Sequence, residues 1–234
     1  MMITVRMSVW EKILGWIMVA AHLLFLGLLV EILFVTMGWD TTTAAGKTEL
    51  NIAYWLLGFV LTGVVFCHFL IRNFKTFLRS IKKSFLGVLA GGAALMILNM
   101  AVNLLITNLL PDFSNANDAT LDQMGQVSGL HHTLMLICTA FLVPVTEECL
   151  YRGMLFQSIY HRNRILAYIV SAVVFSAIHW IGYIGQINDP LYFIVAFHQY
   201  LPAGIAFGLA YEMSDSIWAP IILHSINNFI AMTM

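Results

Sequence analysis

Seven apolar runs, most of them long enough to cross a bilayer, occupy nearly the whole of this 234-residue chain. They lie near Trp10–Met37, Leu50–Ile71, Phe85–Leu110, Leu130–Tyr160, Ile165–Ile184, Leu191–Tyr211 and Ile217–Thr233. A spanning helix needs roughly 20 consecutive apolar residues. The expected fold is therefore all-α, a polytopic transmembrane helix bundle of about seven spans. Composition sharpens what is excluded. Only 10% of residues are charged and 60% are hydrophobic, whereas soluble domains carry roughly 25% charged residues. An ordinary soluble enzyme, a disordered chain and a nucleic-acid-binding domain are all ruled out. The formal net charge of -1 gives no field for recruiting polyanions, so no nucleic-acid partner is expected.

The first run is about twice as long as a signal-peptide core and reads as an uncleaved first transmembrane helix. Cys67, Cys138 and Cys149 all sit in apolar runs without a CxxC spacing, which argues against disulfides and metal knuckles. The linker Pro111–Ser128 is rich in Asp, Asn and Gly and reads as a loop. Gly87-xxx-Gly91 and Gly204-xxx-Gly208 read as sites of close helix approach. Arg72, Lys75, Arg79, Lys82 and Lys83 fall between runs two and three, and Arg162 and Arg164 between runs four and five. The positive-inside rule makes both basic segments cytoplasmic, and the N-terminus with them. The first basic segment also suits an amphipathic helix on anionic headgroups, with a plain topology signal as the alternative.

Ionisable groups at membrane depth are costly and mark functional sites. Run four carries Glu147, Glu148 and Arg152 behind Pro144; run five carries Phe175 and His179; run seven carries His224 and Asn228. At 1.5 Å rise per residue, Glu147, His179 and the His224–Asn228 pair all lie roughly 12–22 Å from the cytoplasmic turns. Three helices thus bring polar groups to a similar depth, as the walls of one hydrated cavity would. Glu148 and Arg152 are spaced i,i+4 and can pair, while Glu147 is turned about 100° away and stays free. Phe175 can pack on His179, and His224 and Asn228 present two donors on one face. Pro144 removes a backbone donor and is expected to open the helix just before the glutamates.

Two chemistries suit this set. In one, Glu147 and His179 hold and deprotonate a water while His224 and Asn228 donate to the developing oxyanion. In the other, Glu147, His179 and His224 hold a divalent metal such as zinc, with an open position for water. No HExxH motif is present. Cys149 has only Arg152 to activate it and is not expected to be a nucleophile.

At these residues the chain resembles the CPBP family, which contains CAAX proteases and bacteriocin-processing or Abi proteins. Its EExxxR, FxxxH and HxxxN motifs read here Glu147-Glu148-xxx-Arg152, Phe175-xxx-His179 and His224-xxx-Asn228, in the family's order. The resemblance covers roughly residues 130 to 234 and implies an intramembrane endopeptidase of a bacterial plasma membrane. It would act on a peptide or membrane-protein substrate within the lipid bilayer. On that basis residues 1–128 are N-terminal transmembrane helices and 129–234 the catalytic core of one integrated bundle. The resemblance implies Glu147, His179, His224 and Asn228 as catalytic residues, with Glu148, Arg152 and Phe175 in support. Whether a metal takes part differs among accounts of the family. The chain's small size suits bacteriocin processing or self-immunity better than prenyl-protein cleavage. A non-catalytic immunity protein and a proton-coupled transporter are the competing functions.

The remaining polar residues have plainer accounts. His22 and Glu31 line an interhelical gap, His68 lies near the interface, and His131 and His132 are solvated. His198 is a satisfied core histidine, with a place in the cavity as the alternative. Glu212 and Asp215 are loop acids.

Overall fold

The computed structural model describes residues 3–110, 113, 129–181, 184 and 189–233, so the Pro111–Ser128 loop lies, apart from Phe113, outside the described residues. Among the described residues eight helical rods follow one another: α1 Val9–Leu24, α2 Leu26–Thr36, α3 Ala44–Arg79, α4 Ile81–Leu109, α5 Leu130–Tyr160, α6 Arg164–Ile181, α7 Pro190–Ser214 and α8 Trp218–Thr233. The fold is an all-α polytopic bundle. Helices α3 to α7 are long and apolar enough to cross a membrane. The α1–α2 pair would be a sixth span, and α8, at 16 residues, is about 24 Å long at 1.5 Å per residue.

Local chemistry sets the ends. Ser8 caps α1, accepting from the Glu11 N–H while the Glu11 carboxylate accepts from the Ser8 N–H, the reciprocal capping box. Asp189 and Pro190 start α7, and Asp215, in the left-handed region at φ 61°, ends it. The expected single first helix is instead broken at Phe25, and its halves bend by 60°. Close to the bend only His22 and Gly27 interrupt the apolar run, too slightly for hydropathy to register. The basic segment between runs two and three is no separate surface helix. It forms the end of α3, the turn at Ser80 and the start of α4.

The core sits where α7 packs between α4 and α6. Here the glycines act as expected. A Cβ on Gly204 would stand 2.6 Å from the Ala172 Cα, and one on Gly91 would stand 2.8 Å from the Ala210 Cβ and the Leu223 Cδ2. No side chain fits either crossing.

The end of the bundle holding the α3–α4 and α5–α6 turns is knit by polar contacts. Glu212 and Asp215 belong to these contacts and are buried, not loop acids. Glu212, on α7, accepts from Tyr160 Oη at 2.7 Å and Tyr168 Oη at 2.5 Å, and pairs with Arg164 at 2.6 Å. Asp215 takes the Thr4 N–H at 2.6 Å and its hydroxyl at 2.5 Å. Gln157 donates to the Val5 carbonyl at 2.7 Å, and Arg72 pairs with Glu11 at 2.6 Å. Buried acids at this end of α7 are intelligible once each has several donors. The sequence places those donors on other helices and on the segment before α1, out of reach of any local pattern.

Candidate active site

Helix α5 carries both glutamates on a backbone that changes pitch. Two π-helical stretches, Cys138–Leu142 and Cys149–Phe156, flank the α-helical turn that holds Glu147 and Glu148. Pro144 has no N–H to donate, and the Val143 N–H reaches back five residues to the Cys138 carbonyl. The break expected at Pro144 therefore takes the form of a wider winding within one continuous rod. Such windings concentrate at functional sites because they re-aim side chains without ending the helix.

The two carboxylates face different surroundings. Glu148 is fully buried, and its Oε1 accepts from Arg152 Nη1 at 3.1 Å and from His224 Nδ1 at 2.9 Å. Arg152 is equally buried and also donates to the Gly204 carbonyl at 3.0 Å and the Ala203 carbonyl at 3.3 Å. Its guanidinium lies 4.5 Å from the Phe175 ring centre and 5.1 Å from that of Phe207. Glu147 instead lines a cavity of about 670 Å³, as do His179, His224 and Asn228. This volume falls within the roughly 300–1,000 Å³ of ligand pockets. The Glu147 Oε2 lies 3.9 Å from His224 Nε2 and has no hydrogen-bond partner among the protein atoms.

Each histidine is held by one ring nitrogen. His179 Nδ1 is 2.8 Å from the Phe175 carbonyl oxygen. A carbonyl can only accept, so Nδ1 carries the proton and Nε2 keeps its lone pair. The His179 ring stacks on Tyr200 with centroids 4.0 Å apart, and the Phe175 ring lies 4.8 Å from it. His224 is clasped between the Phe207 ring at 4.6 Å and the Glu148 carboxylate. The Phe175 ring is also 5.8 Å from His224, so the two imidazoles flank one phenyl ring. Asn228 spends one amide proton on the Thr139 carbonyl at 2.9 Å and retains the second.

All seven residues picked from the three motifs thus fall in one cluster. His198 does not join it: the residue is exposed and its Nδ1 bonds the Ile194 carbonyl at 2.6 Å. Two residues on, Tyr200 reaches the cavity, because two positions on a helix differ by about 200°. Tyr200 belongs to the polar stretch His198–Tyr200 of the sixth apolar run, whereas Tyr54, Phe207 and Thr139 join the site without standing out in the sequence. Tyr54 gives a weak signal, falling three residues after Asn51 in the second apolar run, but a lone Phe and Thr give none. His22 does line the interhelical gap, 3.1 Å from the Tyr54 hydroxyl, and His131 is paired with Glu49 at 2.9 Å rather than simply solvated.

The metal set expected from the sequence is Glu147, His179 and His224. Among the described residues no three His, Cys, Asp or Glu side chains are arranged to hold a metal ion. His224 Nε2 and Glu147 Oε2 are 3.9 Å apart, and the His179 and His224 rings lie 4.8 and 5.8 Å from the Phe175 ring. The donor set does not fit a metal, and no step is derived through one.

Comparison with known proteins adds two findings. Residues 129–230 match the family model described as type II CAAX prenyl endopeptidase Rce1-like. Over 102 residues the chain is 26% identical to "Putative membrane peptidase YdiL" of Bacillus subtilis (strain 168), a stretch covering 43% of this chain and 37% of that relative. No solved structure matches the chain. The matched stretch contains all three motifs, and these findings support the CPBP resemblance.

Proposed function

We propose, from the match of residues 129–230 to the Rce1-like family model and the cluster those residues form, that the chain is an intramembrane endopeptidase. The observation that carries this reading is the division between two adjacent carboxylates. Glu148 lies outside the cavity lining with its Oε1 held by Arg152 and His224, while Glu147 lines the cavity and its Oε2 meets no protein donor. Glu147 and the lone pair on His179 Nε2 hold a water and take its proton as the oxygen attacks the scissile carbonyl. The peptide carbonyl becomes an oxyanion beside His224 and Asn228. Asn228 offers its second amide proton. His224 offers an Nε2–H, which, with Nδ1 donating to Glu148, requires both ring nitrogens to carry a proton. The proton then passes to the leaving amine, and the bond breaks into a carboxylate and an amine.

Arg152 and Phe175 set the stage for this chemistry. Arg152 neutralises Glu148 so that it can hold His224 in place, and Phe175 separates and aligns the two imidazoles. The N-terminus and the turns at Ser80 and His161 lie on the cytoplasmic side, since that end collects nearly all the basic residues. The CPBP resemblance makes bacteriocin processing or self-immunity the proposed biological setting.

The test is hydrolysis in ¹⁸O-labelled water. Purified protein in lipid nanodiscs is incubated with a library of apolar peptides, and fragments are read by mass spectrometry. One labelled oxygen is expected in each new C-terminal carboxylate, and none with Glu147→Gln. Fragments that form equally with that variant would refute the proposal.

A further inference from the structure

Half of the cavity wall comes from helices outside residues 129–230. His22 from α1 and Tyr54 from α3 line the same space as Glu147 and His179. The Tyr54 hydroxyl is 3.1 Å from His22 Nδ1 and 3.5 Å from Nε2, and the two rings stack with centroids 5.7 Å apart. The His22 ring lies 6.3 Å from Tyr151, which in turn meets Phe175 edge-on at 5.7 Å. A relay of ring contacts therefore connects this pair with the ring that aligns the two histidines.

The pair's chemistry is complementary to a peptide unit. One hydrogen bond between His22 and Tyr54 leaves a second imidazole nitrogen and the remaining capacity of the hydroxyl. Together they can supply one donor and one acceptor, which is what a peptide N–H and C=O demand. The need is acute at membrane depth, where an unsatisfied backbone group costs several kcal/mol. The capacity that His179, His224 and Asn228 keep beyond their bonds to the Phe175 carbonyl, Glu148 and the Thr139 carbonyl is assigned to the water and the oxyanion, not to the flanking main chain. Among the described lining residues Glu147 is the one carboxylate, and no lysine or arginine is present. Leu23, Leu24, Leu28 and Trp55 supply apolar wall around the pair.

We infer that His22 and Tyr54 form a substrate-binding subsite that grips the main chain of an uncharged, apolar peptide segment beside the scissile bond. The inference rests on the endopeptidase proposal for its biological sense, but binding can be measured without cleavage. Both residues are positioning residues; neither touches the reacting atoms.

The experiment uses the Glu147→Gln protein in nanodiscs and a fluorescein-labelled library of octapeptides of Ala, Val and Leu, with binding read by anisotropy. Tyr54→Phe keeps the ring and removes the hydroxyl, and His22→Ala removes the imidazole. Each should weaken binding of the best peptide by about two- to tenfold, the range for one net hydrogen bond, with His22→Gln restoring part of the loss. The same peptide is then N-methylated at each position in turn. One methylation should weaken binding to Glu147→Gln and have no further effect once Tyr54→Phe or His22→Ala is added. A merely structural role would leave every methylation effect unchanged, and that result overturns the inference. Failure of the whole library to bind overturns it as well. Cleavage assays on the wild type judge the endopeptidase proposal separately, because hydrolysis that survives Glu147→Gln refutes that proposal and leaves the binding result standing.

Discussion

Replacing Arg152 with alanine should unfold the site before it disables any chemistry. The side chain is completely buried, with one nitrogen on Glu148 at 3.1 Å, another on the Gly204 carbonyl at 3.0 Å, and two aromatic faces around it. Truncation leaves Glu148 as a buried carboxylate with only His224 beside it, and breaking such a pair costs about 3–5 kcal/mol. The stranded carbonyls and the lost ring contacts add to this cost. For a chain of this size about 1 kcal/mol corresponds to 2–4 °C in melting temperature, so the loss should reach roughly 6–20 °C. Thermal unfolding in detergent, followed by the fluorescence of a thiol dye on the buried cysteines, reads the shift. Adding Glu148→Gln to a methionine at position 152 removes both charges and should recover part of it. An Arg152→Ala protein that melts within about 2 °C of the wild type would refute the reasoning, given the cost cited for a broken buried pair.

Other expectations follow from the same geometry. Asn228→Ala should lower kcat by about 10²–10³-fold with little change in KM, as loss of one oxyanion donor does; steady-state kinetics checks it. Gly204→Val places a methyl-bearing Cβ against the Ala172 backbone and should cost at least about 1–3 kcal/mol, seen as reduced folded yield on size-exclusion chromatography. Cysteines introduced at Lys82 and Arg162 should react with a membrane-impermeant thiol reagent from one side of the membrane, and one at Thr42 from the other. Prolonged treatment with a strong chelator should leave peptide hydrolysis unchanged, because the donor set fits no metal; inactivation that zinc reverses would contradict this.

The site proved more legible in the sequence than the bundle around it. Glu148 and Arg152, Phe175 and His179, and His224 and Asn228 are each one helical turn apart, and helical periodicity alone puts each pair on one face. That the pairs meet follows from the depth each reaches along its helix. What periodicity could not give is which nitrogen or oxygen meets which. The contact between His224 Nδ1 and Glu148 joins residues 76 positions apart and adds a second partner to the glutamate that the spacing already pairs with Arg152. Hydropathy likewise found the first apolar run but not its break at Phe25, since a bent helix and a straight one share the same apolar content. Glu212 shows the opposite failure: an acid near a helix end looks solvated until Tyr160, Arg164 and Tyr168 arrive from two other helices.

The division between the two glutamates is the centre of this account, and kcat of Glu147→Gln measured beside its melting temperature tests it most directly. The amide cannot take a proton from water, so kcat should fall by about 10²–10⁴-fold, the range for loss of a general base. The fold should be unaffected, because Glu147 contributes no hydrogen bond to the buried network around Glu148. A Glu147→Gln enzyme that keeps wild-type turnover, or one that loses activity only by failing to fold, would contradict it.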